Sequence, residues 1–371
     1  MSEILFVTWD GGGNVPPATG IAAELMARGH AVRFLGHEGN RRAVEGAGLP
    51  FRAYASAIPF SSTDLTTPEV MVEIFNDVGI AADMLAEAES IGADLVVIDC
   101  LLLAALGGAR KAGLTYVPLE HFFDAYYRQG WLKAPFGQVA EARGHDPFGA
   151  LEQAPLTIVA TLPELDPAGQ LPSSPNVLFS GPVLTAPGDR DLAALPATVL
   201  VSLSTFNFPG QAEAMQTILN AVDGLPARVI VTTGPAIDPS DLKAPDNVEM
   251  YEYLDHDEIM PEVTVVFGHG GHATTMRALA HDIPVAAMPQ HPMLDQTMVG
   301  QAVEAAGAGR LVPREGSTAE VRQVLEDLIV DGPQRSSAAR LGKAIREARA
   351  AASAADQIEK LVATRAPVDS R

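Results

Sequence analysis

The chain has 371 residues, of which 47% are hydrophobic and 19% are charged, and its formal net charge at pH 7 is −21. This length and composition describe a folded globular protein with more than one hydrophobic core. The strong negative charge argues against a nucleic-acid partner and against tight binding to anionic membranes, because both need a basic face.

The single cysteine, Cys100, excludes an internal disulfide framework and most zinc sites. No apolar run reaches the roughly 20 residues of a membrane-spanning helix. The first residues run directly into a strand and lack the basic start of a signal peptide. We therefore expect a cytoplasmic protein without membrane insertion and without a bound metal.

The first predicted strand, residues 4–8, is followed by a glycine-rich turn, a helix and a second strand at residues 31–35. In such a βαβ unit the turn lies at the carboxyl edge of a parallel sheet, where open α/β sheets bind ligands. The turn lacks the G-x-G-x-x-G spacing of dinucleotide sites, and Pro16 and Pro17 supply no N–H donors. We therefore reject dinucleotide binding and keep the turn as part of a ligand site.

The connection over residues 55–83 is predicted to be irregular and to lie at the same edge. It forms part of a ligand pocket, or else it is an ordinary helical insertion packed on the domain. Asp99 ends a clear strand at residues 93–99 and either caps the next helix or faces the ligand. Further strands of this half are predicted at residues 51–54, 114–119, 156–161 and 177–179.

The segment after residue 119 combines titratable and aromatic side chains. Histidine titrates near neutral pH, which makes His121 the best-matched general base, although a lone histidine is more often structural. Asp10, Asp99 and Asp124 are the other candidates for this role. Aromatic side chains suit a flat, apolar ligand. The predicted ligand-binding residues of this half are Gly13, Phe60, Phe75, Phe122, Phe123, Asp124, Tyr127 and Trp131.

A stretch rich in proline, glycine and charge separates the chain into two halves, and the second half repeats the strand–helix alternation. The predicted class is α/β, with two Rossmann-like, doubly wound parallel-sheet domains. We place the first domain at residues 1–181, the linker at 182–197 and the second domain at 198–352. Helices are predicted near the end of the chain at residues 318–328, 334–355 and 356–363.

Residues 263–296 give the strongest indication of a ligand site in the sequence. A buried strand is followed by the glycine turn at His269, a helix from Thr274, a strand over residues 283–288 and the pair Asp295-Gln296. The unpaired N–H groups and the dipole at a helix start attract a diphosphate, and a carboxylate beside an amide suits sugar hydroxyls. A helix cap with a tight turn is the simpler alternative.

These motifs resemble the GT-B nucleotide-sugar glycosyltransferases of the UDP-glycosyltransferase type, especially the actinobacterial antibiotic branch. The resemblance extends over nearly the whole chain. His272 stands where the family usually has a small residue, and Ala273 stands where it usually has glycine. By resemblance, helix 353–371 packs back on the first domain, and the predicted donor-binding residues are Ser204, Thr205, Tyr253, Leu254, His269, Gly271, His272, Ala273, Thr274, Asp295 and Gln296.

One departure concerns catalysis directly. In the resembled family the loop after the first strand usually reads G-H-V-N-P, and its histidine deprotonates the acceptor hydroxyl. Asn14 stands in that place here, and an amide does not accept a proton at neutral pH. In that family an aspartate at the place of Asp99 pairs with this histidine, so with Asn14 as its partner Asp99 either orients the amide or becomes the base itself. Either another residue removes the proton or the acceptor needs no base. The predicted catalytic residues are His121, Asp99, Asp10 and Asn14.

The resemblance implies inverting, metal-independent transfer of a hexose-type sugar, without a cofactor, from a UDP- or dTDP-sugar to a hydrophobic natural-product-like acceptor. It also allows a homodimer. Two alternatives remain at this point. One is a GT-B nucleotide-sugar epimerase, and the other is a catalytically degenerate, donor-binding partner of another transferase.

Overall fold

The computed structural model describes residues 1–62, 67–172, 174–184, 195–204, 208–235, 237–292 and 294–364. Thr205, most of the predicted linker 182–197 and the end of the predicted helix 353–371 therefore lie outside the described residues. The chain divides into two compact units, one formed by Met1–Leu184 with Ala348–Arg371 and the other by Thr185–Glu347.

The first unit is built on a parallel sheet of seven described strands in the order β3-β2-β1-β4-β5-β6-β7. Ile4 is in register with Val32 on one side and Leu95 on the other. The strands are β1 (Glu3–Val7), β2 (Ala31–Gly36), β3 (Phe51–Ala53), β4 (Leu95–Asp99), β5 (Tyr116–Glu120), β6 (Thr157–Val159) and β7 (Val177–Phe179).

Successive residues of β1 belong to different cores, because side chains alternate between the two faces of a strand. Leu5 and Val7 are buried in one hydrophobic cluster, while Ile4 and Phe6 are buried in another. Both faces of the sheet are therefore covered, which explains why the central strands read as continuous apolar runs.

Helices cover both faces of this sheet. Those of the first unit are α1 (Val15–Ala27), α2 (Arg41–Gly46), α3 (Pro68–Phe75), α4 (Val78–Ile91), α5 (Leu103–Ala112), α6 (Asp124–Gln129), α7 (Pro135–Ala142), α8 (Pro147–Gln153) and, near the end of the chain, α15 (Ala350–Ala363). Helix α15 packs on α1, where Arg28 donates to Asp356 at 2.6 Å and to Glu359 at 2.7 Å. No helix within the described ranges is both long and apolar enough to cross a bilayer.

The connection over residues 55–83 contains α3 and the start of α4, whose first turns are capped by the side chains of Thr67 and Asp77. Both helices pack on the hydrophobic core, so the alternative of a helical insertion is confirmed. The single helix predicted over residues 334–355 is wrong, because the structure has two helices there. The break falls at Arg349, whose φ of 47° is incompatible with a continuing helix.

The second unit has a parallel sheet of six described strands in the order β10-β9-β8-β11-β12-β13. Its strands are β8 (Thr198–Ser202), β9 (Arg228–Thr232), β10 (Val248–Tyr251), β11 (Val265–Gly268), β12 (Val285–Ala287) and β13 (Gly309–Leu311). Its helices are α9 (Gln211–Val222), α10 (His256–Ile259), α11 (His272–Ala280), α12 (Gln296–Ala305), α13 (Thr318–Ile329) and α14 (Pro333–Glu347). The predicted class, two parallel-sheet α/β units, is confirmed.

The connection from β11 to α11 depends on glycine. Gly270 has a φ of 80°, and a Cβ at this position would lie 2.6 Å from the backbone oxygen of Gln296. Both the left-handed conformation and the close approach require glycine here. Helix α11 begins at His272, two residues before the predicted start at Thr274.

Candidate active site

In the first unit, three polar side chains meet where neighbouring strands end. The Nδ2 atom of Asn14 donates to Asp99 Oδ2 at 2.7 Å, to Thr8 Oγ1 at 3.0 Å and to the Trp9 carbonyl at 3.1 Å. The Nε2 atom of His121 lies 3.6 Å from the same Asp99 Oδ2 and has no hydrogen-bond partner among the described residues. The structure therefore brings Asn14, Asp99 and His121 together around one carboxylate oxygen.

Asp99 partly matches each of the two roles predicted for it, capping the next helix and facing the ligand. Its Oδ1 accepts from the Leu101 N–H at 3.0 Å, in the turn before α5 rather than at the start of that helix. Its Oδ2 faces Asn14 and His121. One carboxylate thus stabilises the turn with one oxygen and presents the other to the polar cluster.

Asp10 is engaged elsewhere. Its Oδ2 accepts from the Ser62 N–H and its Oδ1 accepts from the Ser62 hydroxyl, both at 3.2 Å. These contacts tie the segment before residue 63 to the loop after β1. They favour a structural role for Asp10 over the predicted catalytic role.

The aromatic residues predicted to bind an acceptor form a packed cluster. Phe75 lies edge-on to Trp9 at 5.0 Å between ring centroids and to Trp131 at 5.4 Å. Phe60 is partly buried against Trp9, while Gly13 is exposed. Phe122 is mostly buried, with its ring 4.6 Å from that of His121. This places Phe122 beside the polar cluster.

The structure gives Phe123 and Tyr127 a core role instead of a ligand-binding role. Both have 0% of their surface exposed, and the Tyr127 hydroxyl donates to the Cys100 carbonyl. Asp124 is also buried and pairs with Arg128 at the start of α6. These residues support the loop without presenting surface to a ligand.

Sequence reasoning missed Glu120, the residue before His121. Its side chain is fully buried, and burial raises the pKa of this carboxyl well above its usual range, with the charge of Asp124 adding to the effect. A carboxyl beside a histidine at a strand end was visible in the sequence. Its burial was not, because it depends on elements distant in the chain.

His37 was also missed, although it follows β2 at the same edge of the sheet. Its ring packs edge-on against Tyr54 at 5.1 Å and Phe60 at 5.8 Å between centroids. Burial lowers the pKa of His37, so it is neutral at pH 7.

One group of described residues could offer ligands to a metal ion. Atoms of Asp99, Cys100 and His121 lie within 4.8 Å of one another. Burial raises the pKa of the Cys100 thiol well above its usual value, which disfavours the thiolate that a metal ion requires. An acid–base pair of Asp99 and His121, whose nearest polar atoms lie 3.6 Å apart, is therefore favoured over metal binding here.

In the second unit, His269 covers the turn before α11. Its Nε2 lies 2.3 Å from the position that a Cβ of residue 271 would take, so its ring sits directly against Gly271. Burial lowers the pKa of His269 to about 4, and a hydrogen bond with the Ser202 backbone partly offsets this effect. The imidazole is therefore neutral at pH 7 and offers a hydrogen bond rather than a charge.

The start of α11 has the electrostatics of an anion site. Gly271 occupies the N-cap position and supplies no side-chain acceptor for the first N–H groups of the helix. The helix dipole places partial positive charge at the same point. His272 is largely buried, and Ala273 and Thr274 are partly buried in this first turn.

Gln296 is oriented by the turn that precedes it. Its Oε1 accepts from the Gln290 N–H at 2.7 Å and from the His291 N–H at 3.1 Å. The carbonyl oxygen of Gln296 is therefore engaged by this turn. Asp295, the N-cap residue of α12, is partly exposed.

Arg314 was not predicted from the sequence. Its Nη1 donates to the Gln290 carbonyl at 2.9 Å, and its other terminal nitrogen donates to the Pro209 carbonyl. The side chain thus joins the turn after β12 to the loop before α9. An isolated arginine carries no sequence signal for such a role.

The remaining predicted donor residues lie at the ends of other strands. Ser204 is buried two residues after β8, the strand next to β11, and its carbonyl accepts from the Gln211 side chain at 2.7 Å. Tyr253 follows the edge strand β10 and exposes 75% of its surface, while Leu254 is partly buried. The sheet order therefore puts Ser204 near His269 and Tyr253 further along the same edge.

Residues 216–363 match the family model described as the erythromycin biosynthesis protein CIII-like C-terminal domain. Among curated proteins, a PGL/p-HBAD biosynthesis glycosyltransferase of Mycobacterium tuberculosis is 32% identical over 229 residues, or 59% of this chain and 51% of the relative. The chain thus spans about half the length of this relative. An NDP-glycosyltransferase of Bacillus licheniformis is 24% identical over 95% of both chains.

Solved structures show the same architecture over nearly the whole chain. The glycotransferase of kitacinnamycin has a TM-score of 0.83 at 22% identity and covers 97% of this chain and 99% of its own. The calicheamicin glycosyltransferase CalG4 has a TM-score of 0.79 at 23% identity and covers 99% of this chain and 100% of its own. The chain has the GT-B fold.

Each unit of this GT-B chain carries one polar cluster at the carboxyl edge of its parallel sheet. The first unit holds the cluster of Asn14, Asp99 and His121. The second holds the turn from His269 to Gly271 and the Gln296 side chain. Carboxyl edges are where open α/β sheets bind their ligands.

Proposed function

We propose that this GT-B protein is a glycosyltransferase of the natural-product type. It transfers a sugar from a UDP- or dTDP-sugar to a hydrophobic hydroxylated acceptor, with inversion and without a metal ion. The observation that carries the proposal is the neutral imidazole of His269 lying over Gly271 at the start of α11. The similar transferase VinC was solved in complex with dTDP, and the similar rhamnosyltransferase SpnG with a spinosyn aglycone.

The second unit would hold the donor. N–H groups at the start of α11 and a hydrogen bond from His269 stabilise the diphosphate, on which negative charge develops as the sugar leaves. Because the imidazole is neutral at pH 7, the positive potential comes from the helix end. The amide nitrogen of Gln296 and the carboxylate of Asp295 would bind sugar hydroxyls.

The first unit would activate the acceptor. The acceptor hydroxyl attacks the anomeric carbon from the face opposite the diphosphate, and its proton passes to the imidazole of His121. The bond from the anomeric carbon to the diphosphate breaks, and its electron pair leaves with the diphosphate. Asp99 stabilises the imidazolium that forms.

The test is turnover of UDP- and dTDP-sugars with a panel of hydrophobic phenols and alcohols. We expect nucleoside diphosphate to be released and a glycoside to appear by mass spectrometry, with an inverted anomeric signal by NMR. Turnover is expected to persist in the presence of EDTA. Retention of the anomeric configuration, or loss of turnover with EDTA, would contradict the proposed mechanism.

Asn14 favours a second candidate, a donor-binding partner that no longer catalyses transfer, because an amide replaces the family's usual base. That protein would bind dTDP or UDP by calorimetry but release no product with any acceptor. An epimerase would instead change the donor sugar without an acceptor. Nucleotide calorimetry, together with donor turnover measured with and without an acceptor, separates the transferase, the donor-binding partner and the epimerase.

A further inference from the structure

Asn14 is buried, and all of its assigned hydrogen bonds use the amide nitrogen. It has 2% of its surface exposed, and its Nδ2 faces three oxygens, those of Thr8 Oγ1, the Trp9 carbonyl and Asp99 Oδ2. A flipped amide would set its oxygen against the Trp9 carbonyl and the Asp99 carboxylate, which is repulsive. The surroundings therefore require a donor at this position.

The Asn14 amide donates to the Asp99 carboxylate, which has little access to water. Asp99 has 6% of its surface exposed, and its Oδ1 is already occupied by the Leu101 N–H. The hydrogen bond from Asn14 Nδ2 to the other oxygen, Oδ2, is 2.7 Å long and fixes the position of that oxygen. Two donors from different parts of the chain thus hold Asp99 in one orientation.

In that orientation Asp99 Oδ2 faces His121. The distance from Oδ2 to His121 Nε2 is 3.6 Å, and Nε2 makes no hydrogen bond within the part of the chain that the structure describes. The His121 ring packs edge-on against Phe122, which restricts its rotation. Hydrogen bonds of catalytic groups are often long without substrate and shorten in the complex.

We propose that Asn14 is a positioning residue, which fixes Asp99 so that a relocated pair, Asp99 and His121, removes the acceptor proton. This inference rests on the proposed glycosyl transfer. With Nε2 directed at Asp99, the other ring nitrogen, Nδ1, takes the proton from the acceptor hydroxyl. Asp99 keeps its charge and stabilises the imidazolium.

Asn40 provides a matched control for Asn14. It also has 2% of its surface exposed and also donates through Nδ2 to the Trp9 carbonyl, at 3.3 Å, but within the described residues it makes no hydrogen bond to Asp99. Replacing Asn14 by Leu, which keeps the branching of the side chain but removes its hydrogen-bonding groups, should lower kcat about 10–100-fold with little change in KM for either substrate. It should also move the pH midpoint of kcat/KM. Replacing Asn40 by Leu should leave the pH profile in place.

Histidine at position 14 supplies a stronger test. His121→Asn alone should lower kcat about 100-fold or more, since a general base is lost. The double variant Asn14→His with His121→Asn puts an imidazole beside Asp99 again and should recover at least about tenfold of that loss. If the double variant recovers no kcat, the proposal is overturned. The same holds if the pH profile of kcat/KM is identical in Asn14→Leu and Asn40→Leu.

A measurement without turnover separates this inference from the proposed function. The pH midpoint of the His121 ring signals, assigned by their loss in His121→Asn, is followed by NMR. It should change in Asp99→Asn and in Asn14→Leu but stay in Asn40→Leu, because only the first two alter the contact between carboxylate and imidazole. An unchanged midpoint in Asn14→Leu would refute the positioning role, whereas failure of transfer in the wild type would refute the proposed function.

Discussion

The imidazole of His269 lies directly against Gly271, with Nε2 only 2.3 Å from where a Cβ of residue 271 would be. The two residues therefore act as one unit at the start of α11. A side chain at position 271 would displace the ring that we propose as a diphosphate ligand.

Gly271→Ala should weaken binding of dTDP or UDP about 10–100-fold, the effect of losing one hydrogen bond to a charged group. Calorimetry measures the affinity, and thermal unfolding checks the fold. Gly332→Ala is the matched control in the same unit, because a Cβ there would come no closer than 3.4 Å to a neighbouring atom. Equal affinity of both variants for the nucleotide would contradict the role of His269.

The low pKa of His269, about 4, predicts how stability depends on pH. Between pH 6.5 and 4 the unfolded chain binds a proton at this residue while the folded chain does not, so unfolding becomes easier as the pH falls. Relative to His269→Asn, the wild type should lose up to about 3 kcal/mol of unfolding free energy over this window. Denaturant unfolding at several pH values measures the difference. A constant difference would show that the ring is not held neutral.

Glu120 should have the opposite pH dependence, because burial raises its pKa above the usual value. Its contribution to stability is complete below about pH 4.5 and is lost as the pH rises through the raised pKa. Glu120→Gln keeps the neutral shape, so it should fold well and show a smaller loss of stability at rising pH.

Glu87→Gln is the contrasting variant, since this buried carboxylate pairs with Arg33 and Arg52. It should be destabilised by about 1–3 kcal/mol. Its dependence on rising pH should stay like that of the wild type. If Glu120→Gln instead behaves like Glu87→Gln, the carboxyl at position 120 is ionised in the folded protein.

Two substitutions separate the structural and ligand-binding roles of Gln296. Gln296→Ala leaves the Gln290 and His291 N–H groups without their acceptor and should cost about 1–3 kcal/mol of stability. Gln296→Glu keeps an acceptor oxygen, so it should preserve the fold but remove the amide donor proposed for the sugar. We expect Gln296→Glu to raise KM for the nucleotide-sugar more than it alters the affinity for free dTDP. Identical stability of wild type and Gln296→Ala would contradict the observed role in the turn.

Local sequence patterns determined much of this protein. The apolar runs that become β1, β4, β8 and β11 are continuous because both faces of each sheet are covered, and this pattern is visible along the chain. The turn at Gly270 was equally visible, because its left-handed backbone needs glycine. The sequence left a helical insertion over residues 55–83 as one of two alternatives and did not place α3 and α4, since their capping residues do not stand out from an irregular stretch.

The resemblance indicated that Asp99 pairs with the residue at position 14, but only the tertiary structure decided that His121 joins this pair and which aromatic residues are hidden. Asn14 precedes α1, Asp99 is the last residue of β4, and His121 follows β5. Their side chains meet at one carboxylate oxygen only because β1, β4 and β5 lie side by side in the sheet. The same packing buried Tyr127. Burial and side-chain orientation depend on neighbours far along the chain, and a sequence pattern records only local spacing.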